Sequence, residues 1–122
     1  MNRSTQRNDL ERMIELAKDM RENTKSNSLV EMVNEADLHQ YEVMRDNDLA
    51  DFECSVAGGS WHFLSKAHLT ERGQTFVEVF GDQNNYDAVK KLARKQDVKI
   101  NDLSLDEVME LASEHLENKL KI

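Results

Sequence analysis

The hydrophobic residues of this chain change their spacing at Leu49 and return to the earlier spacing after a short segment. Ahead of Leu49 apolar side chains recur every three or four positions, as in helices, whereas from Leu49 they alternate with polar ones, as in a strand. The alternating residues are Phe52, Cys54 and Val56 against Asp51, Glu53 and Ser55. Ala57-Gly58-Gly59-Ser60 predicts a turn, because glycine adopts positive φ without strain, and Trp61 and Phe63 predict a returning strand that packs on the domain. A hairpin between helical segments predicts an α+β fold that is mostly helical.

Three helices are predicted before the hairpin. The first runs from about Asn8 to Glu22 and has an apolar stripe of Leu10, Met13, Ile14, Ala17 and Met20. Ser28 and Glu31 form a capping-box pattern, which predicts a short second helix carrying Leu29, Met32 and Val33. Asp37 is the predicted N-cap of a third helix with apolar residues Leu38, Tyr41 and Met44.

Three further helices are predicted after the hairpin. Thr70 is the N-cap of one that directs Phe76, Val77 and Phe80 inward and ends at Gly81-Asp82. The next is marked by Tyr86, Val89, Leu92 and Ala93, and after a connector over Val98 to Asp102 the last begins at a second capping box, Ser104 with Glu107. We predict a domain over 1–81 and a helical extension over 82–122 that packs on it as part of one folding unit.

The segment that follows the hairpin carries a family resemblance. Leu69-Thr70-Glu71-Arg72-Gly73-Gln74-Thr75-Phe76 resembles the Leu-Thr-x-x-Gly-x-x-Phe element found after the wing of several winged-helix families. Residues 66–122 also resemble a family of small phage and prophage proteins labelled as a domain of unknown function, through Gly81-Asp82, the lysine-rich segment Tyr86 to Lys95, Ser104-Leu105-Asp106 and Lys119-Leu120. The resemblance implies a winged helix-turn-helix, with three helices and a β-hairpin wing, followed by C-terminal helices. It implies a mobile-element origin and no particular activity.

Length and composition restrict the class of protein further. The 122 residues fit one small domain, and no apolar run approaches the ~20 residues of a membrane span. The N-terminus lacks the apolar core of a secretory signal, and the single cysteine, Cys54, excludes an internal disulfide and fits a reducing compartment. We therefore expect a cytoplasmic protein without a membrane partner.

Negative charge is concentrated between Ser28 and Glu53. Eight acids and one base, Arg45, give this stretch −7 of the chain's net charge of −8. The predicted second and third helices, which winged-helix proteins usually insert into a DNA groove, would therefore repel a polyanion and neutralise almost no phosphates. We predict binding to a protein with a basic surface, as in DNA-mimicking inhibitors. The predicted contact residues are Glu31, Glu35, Asp37, Glu42, Asp46, Asp48 and Asp51.

A DNA-binding regulator is the alternative function. Lys90, Lys91, Arg94 and Lys95 are spaced to make one side of a helix basic, and His62 and Lys66 of the wing could add to the same contact. The plainer interpretation is that these bases are solvated or complement acidic helices of the same or a neighbouring chain.

Catalytic and metal sites are not predicted. Asp46-x-Asp48-x-x-Asp51 starts like a calcium loop, but Asp51 and Ala57 occupy the positions where such a loop needs glycine and glutamate. Cys54, His62 and His68 lack the close ligand pairs of a zinc site. We expect Cys54 to be a buried, inert thiol on the apolar strand face, and we expect neither an enzyme nor a cofactor.

The last helix carries a seam that predicts a homodimer. Its residues, at near coiled-coil spacing, are Leu105, Met109, Ala112, Leu116 and Leu120. Packing of the seam on the first helix of the same chain is the alternative, and because Val108 and Leu111 widen the stripe, one helix could do both.

Overall fold

A computed structural model describes residues 7–22 and 30–120 of the chain. Over these residues the chain forms five α-helices and a three-stranded antiparallel sheet, which confirms the predicted α+β class. The elements in chain order are α1 Leu10–Glu22, β1 Val30–Val33, α2 Glu35–Asp46, β2 Ala50–Gly58, β3 Trp61–Leu69, α3 Glu71–Phe80, α4 Gln83–Lys95 and α5 Leu105–Leu120. A short 3-10 turn, Ile100–Asp102, lies between α4 and α5.

The segment predicted to be a second helix is a strand over the residues that the structure describes. β1 pairs antiparallel with β3, from Val30 opposite Ser65 to Val33 opposite His62. The capping-box pattern was therefore misleading, because pairing with an open strand edge stabilises these residues more than a local helix signal. Ser28 and Leu29 of the predicted helix lie outside the described residues. The sheet order is β1-β3-β2.

The helix that follows β1 is capped by a different residue from the predicted one. The Asn34 side chain accepts a hydrogen bond from the Asp37 backbone N–H at 2.8 Å, so Asn34 is the N-cap of α2 and Asp37 lies in its first turn. With β1 in place of the second helix, α1 and α2 are the two helices before the hairpin over the described residues, and the prediction of three helices there is wrong.

The faces of the hairpin are partly inverted relative to the prediction. Leu64 and Leu69 of β3 are both buried although they are five positions apart, which strict alternation would not allow. A bulge near Lys66, with φ of 57°, adds one residue to β3 opposite β2 and changes the alternation. Trp61 and Phe63 therefore lie on the outer face, 45% and 39% exposed, and the prediction that they pack on the domain is wrong.

The predicted turn and the helix after β3 are confirmed. Gly58 and Gly59 have positive φ at the turn between β2 and β3. The Thr70 side chain caps α3 by accepting from the Gly73 N–H at 3.0 Å, and Phe76 and Phe80 are buried with their ring centroids 5.2 Å apart.

The close packing of α3 explains why the element that follows the hairpin has a glycine at position 73. A Cβ atom at this position would lie 1.8 Å from the backbone oxygen of Leu49, so α3 can approach the turn before β2 because Gly73 has no side chain. The Thr70 N–H donates to the same Leu49 oxygen at 3.0 Å. The Leu-Thr-x-x-Gly-x-x-Phe pattern thus joins a buried leucine, a cap, a close backbone approach and a core aromatic.

The C-terminal helices share the core of the preceding part. Buried side chains from α1 to α5 form one continuous cluster, with Tyr86 and Val89 of α4 and Val108 and Leu111 of α5 among them. The Ser104–Glu107 capping box forms with both reciprocal hydrogen bonds, at 3.0 and 3.1 Å. α5 packs mainly on α4.

Candidate functional site

A bidentate ion pair fixes α2 against α1. Arg12 donates to both carboxylate oxygens of Asp37, at 2.9 and 2.8 Å. The hydrogen bond from Arg12 lowers the pKa of Asp37 below its ordinary value, although partial burial opposes this shift, and Asp37 in turn raises the pKa of Arg12. Asp37, predicted as a contact residue for a partner, is therefore engaged within the chain.

The side chains of α2 that could contact DNA bases are also engaged within the chain. Gln40 is 4% exposed, accepts from the Asp9 N–H at 2.9 Å and donates to the Arg7 carbonyl at 2.7 Å. His39 Nε2 lies 3.0 Å from Asn8 Oδ1, and the Arg45 guanidinium lies 4.3 Å from the centroid of the Phe52 ring. Groove contact through this helix would require these interactions to be given up.

Glu35, Glu42 and Asp46 form what we call the acidic stripe. Their spacing of seven and four residues places them on one side of α2, and all three are exposed. At a rise of about 1.5 Å per residue the stripe extends roughly 16 Å. Over the described part of the chain, none of these carboxylates forms an ion pair.

The other acids predicted to contact a partner are dispersed around this helix. Glu31 lies in β1 and accepts a 3.4 Å hydrogen bond from the buried Tyr41 hydroxyl, whose pKa is raised mainly by burial. Asp48 lies in the turn after α2 with φ of 60°, and Asp51 begins the outer face of β2, where its carboxylate accepts from the Phe52 N–H. The structure thus divides the predicted contact residues into three groups. Three acids form the acidic stripe, Glu31 and Asp37 bond to side chains of the same chain, and Asp48 and Asp51 are exposed beyond the end of α2.

The bases of α4 separate into two pairs. Lys90 and Arg94 line a cleft of about 980 Å³ together with Arg7 and Lys99, whereas Lys91 and Lys95 lie outside the cleft lining. Arg7 was not selected by sequence reasoning, because it is distant in sequence and no local pattern connects it to α4.

The hairpin bases His62 and Lys66 do not join the α4 bases in this cleft. Lys66 lies at the β3 bulge with its Nζ 3.6 Å from a Glu53 oxygen, and His62 pairs with Val33 and Val56 inside the sheet. β3 packs on the other strands and on α1, α2 and α3, whereas α4 packs on α3, α5 and the connector. The predicted combination of α4 and hairpin residues is therefore divided between different parts of the fold.

The outer face of the sheet presents apolar side chains. Met32 of β1, 55% exposed, lies directly opposite Phe63 of β3, and Trp61 follows two positions away on the same face. This patch was missed from sequence because the bulge reverses the expected orientation of β3.

Cys54 is exposed, so the prediction of a buried thiol is wrong. It lies opposite the buried Leu64, on the same face of the sheet as Phe52. Within residues 7–22 and 30–120 no group of three histidine, cysteine or acidic side chains is placed to hold a metal ion. Among the helices described there, none has the length and apolar character needed to cross a membrane.

Two of the five residues of the predicted dimer seam belong to the chain's own core. Leu105 and Ala112 are 4% and 3% exposed and belong to the core cluster, so they cannot lie in a surface seam as predicted. Met109 and Leu116 are partly exposed. The Leu120 side chain lies outside what the structure describes.

Comparison of the chain with protein-family models, with curated proteins and with solved structures gives no match.

Proposed function

We propose that this chain is a non-catalytic protein-binding domain, related to phage winged-helix proteins, that presents the acidic stripe to a basic partner protein. The observation that carries the proposal is the unpaired state of Glu35, Glu42 and Asp46 on a helix whose other polar groups are engaged internally. The helix backbone that holds these carboxylates is already ordered, so binding requires only their side chains to lose conformational freedom.

The geometry of the stripe suits a partner that normally binds nucleic acid. Successive carboxylates are separated along the helix by about 10 and 6 Å, which gives a linear row of negative charges that a basic channel can complement, although the row is sparser than the phosphates of one DNA strand, at about 3.4 Å along the axis. Such complementarity accelerates association and makes it sensitive to salt. The stripe would thereby occupy a basic channel and compete with its nucleic acid.

The outer face of the sheet supports a protein as partner. Exposed Met32, Trp61 and Phe63 are of the residue types enriched in protein interfaces. Glu53 lies on the same face opposite Ser65, so a basic partner that covered this face would meet a carboxylate beside apolar surface.

DNA binding is the second candidate. It is favoured by Lys90, Lys91, Arg94 and Lys95, which form no ion pair over the described residues. It would use α4 in place of α2, with the wing residues making a separate contact.

The test uses two variants with equal changes of charge. Glu42→Gln/Asp46→Asn removes two charges of the acidic stripe, and Glu114→Gln/Glu117→Gln removes two exposed charges of α5. Immobilised wild type and variants are exposed to host lysate at low and high salt, and the captured protein is then purified and titrated. We expect loss of binding with the stripe variant and retention with the α5 variant.

Equal loss with both variants would show that net charge alone attracts the partner, which contradicts the proposal. A parallel anisotropy titration with random duplexes at ~0.1 M salt should give no binding tighter than the ~10⁻⁴ to 10⁻⁶ M of non-specific contacts. Sub-micromolar duplex binding that Lys90→Glu/Lys91→Glu abolishes would favour the regulator instead.

A further inference from the structure

The cleft beside α4 is assembled from four separate parts of the chain. The segment ahead of α1 supplies Arg7, Asn8 and Asp9, the first half of α2 supplies Ala36 and Gln40, the second half of α4 supplies Lys90 and Arg94, and the connector supplies residues 98–102. Its volume of about 980 Å³ lies at the upper end of the ~300–1,000 Å³ typical of small-molecule sites.

Hydrogen bonds between these parts hold the walls of the cleft in place. The buried Gln40 amide bonds to backbone atoms of Arg7 and Asp9, and the Leu10 N–H donates to Asn101 Oδ1 at 3.0 Å. These contacts connect segments that are 31 to 91 residues apart in sequence. The cleft is therefore a preformed feature of the folded domain.

One of the cleft bases is also held in position. The Lys90 ammonium lies 5.3 Å from the centroid of the Tyr86 ring, and the Tyr86 hydroxyl donates to Glu11 at 3.2 Å. Partial burial and the neighbouring Glu11 carboxylate raise the pKa of Tyr86 to about 12, so this tyrosine stays neutral near pH 7. The contact with the Tyr86 ring restricts the Lys90 side chain, so this lysine loses less conformational entropy on binding a ligand than a freely moving lysine would.

The charge of the lining is opposite to that of the whole chain. Arg7, Lys90, Arg94 and Lys99 give four positive charges against the two negative charges of Asp9 and Asp102, a balance of +2 in a protein of −8. Over the described part of the chain none of the four bases forms an ion pair. Four like charges around one concavity repel one another, and an anion between them relieves that repulsion.

We propose that this cleft binds a small phosphorylated ligand that carries at least two negative charges and also hydroxyl or amino groups. The bases would hold the phosphates, and Asp9 and Asp102 would accept hydrogen bonds from the rest of the ligand. The same two carboxylates would repel the continuing backbone of a nucleic acid. Val98 and Ile100 supply apolar lining for the ligand body. This inference is independent of the acidic stripe.

The experiment compares two pairs of bases on and beside the same helix. Arg94→Gln/Lys99→Gln removes two charges from the cleft, and Lys91→Gln/Lys95→Gln removes two charges of α4 outside its lining. Calorimetric titrations with ADP and with pyrophosphate at ~0.1 M salt measure the affinity of each protein. We expect saturable binding by the wild type, weakened about tenfold for each charged hydrogen bond lost in the cleft variant. The control variant should stay within about twofold of the wild type because it touches no lining residue.

A steric variant supplies an independent test. Ala36→Phe adds a ring to the cleft at an exposed position without changing any charge, and it should also weaken binding of both probes. Circular dichroism melting of each variant confirms that it is folded. Absence of saturable binding by the wild type, or equal loss in cleft and control variants, overturns the proposal. Binding of a short oligonucleotide in preference to ADP, weakened by both charge variants, would identify the surface as a nucleic-acid contact and would also overturn it.

Discussion

Replacing Gly73 with alanine tests the packing of α3 against the turn before β2. In an isolated helix this change would stabilise by about 1 kcal/mol, because alanine has the higher helix propensity. In the folded protein the new Cβ would lie 1.8 Å from Leu49 O, whereas ordinary contact begins at 3.4 Å. The helix must therefore move away by roughly 1.6 Å, and the loss of packing that this movement causes destabilises the fold. This loss opposes the gain in helix propensity.

The magnitude follows from the contacts that this movement disrupts. Overpacking of a tight site costs about 1 to 3 kcal/mol, and the Thr70 N–H to Leu49 O hydrogen bond contributes about 1 kcal/mol more. Because the clash is with backbone and Leu49 is fully buried, the upper end applies. After the propensity gain is subtracted, we expect Gly73→Ala to lower the free energy of unfolding by about 3 kcal/mol.

Urea unfolding followed by far-ultraviolet circular dichroism measures this quantity, and the melting temperature should fall by about 10 °C. Thr75→Ala is the matched control, since Thr75 is exposed on the same helix, and it should change stability by less than about 0.5 kcal/mol. If Gly73→Ala proved as stable as the wild type, α3 would not approach Leu49 closely and the reasoning would be refuted.

Three further predictions concern other parts of the fold. Trp61 should fluoresce as a water-exposed indole and be quenched efficiently by acrylamide; a shielded, blue-shifted emission would contradict its place on the outer face. Asp37→Asn should cost about 1 kcal/mol near neutral pH. Because folding lowers the Asp37 pKa below 3.8, the stability that the Arg12–Asp37 pair contributes is present above that pH and is lost as the pH falls through the pKa of the folded state. The melting temperatures of variant and wild type should therefore converge in acid. A difference that stays constant with pH would refute the Arg12 pairing. Leu116→Glu tests the predicted homodimer by light scattering: the wild type should have the mass of two chains and the variant that of one folded chain. Val108→Glu, at a fully buried position of the same helix, should instead unfold the protein. A monomeric wild type would exclude the dimer.

The candidate surfaces could be predicted from sequence to different degrees. Glu42 and Asp46 could be predicted to share one side of a helix, because their four-residue spacing is a local property of the chain, whereas Glu35 joins them only because α2 begins earlier than predicted, after the Asn34 cap. The engagement of Asp37 could not be predicted, since Arg12 lies 25 residues away and belongs to another helix. The cleft could not be predicted: its residues Lys90 and Arg94 belong to the predicted basic patch of one helix, but Arg7 joins them only through the packing of distant segments.

Sequence alone determined the five helices that the structure describes, the glycine turn and the caps at Thr70 and Ser104, because these depend on spacing and on side chains that bond to nearby backbone; it also predicted one helix, over Ser28 to Val33, that the described residues do not form. Tertiary structure decided that Val30–Val33 is a strand and that Trp61 faces outward. Both outcomes depend on strand pairing, in which the free energy comes from a partner distant in sequence and one bulged residue reverses a face. No local pattern contains that information, because the partner strand and the bulge are defined only when the sheet has formed.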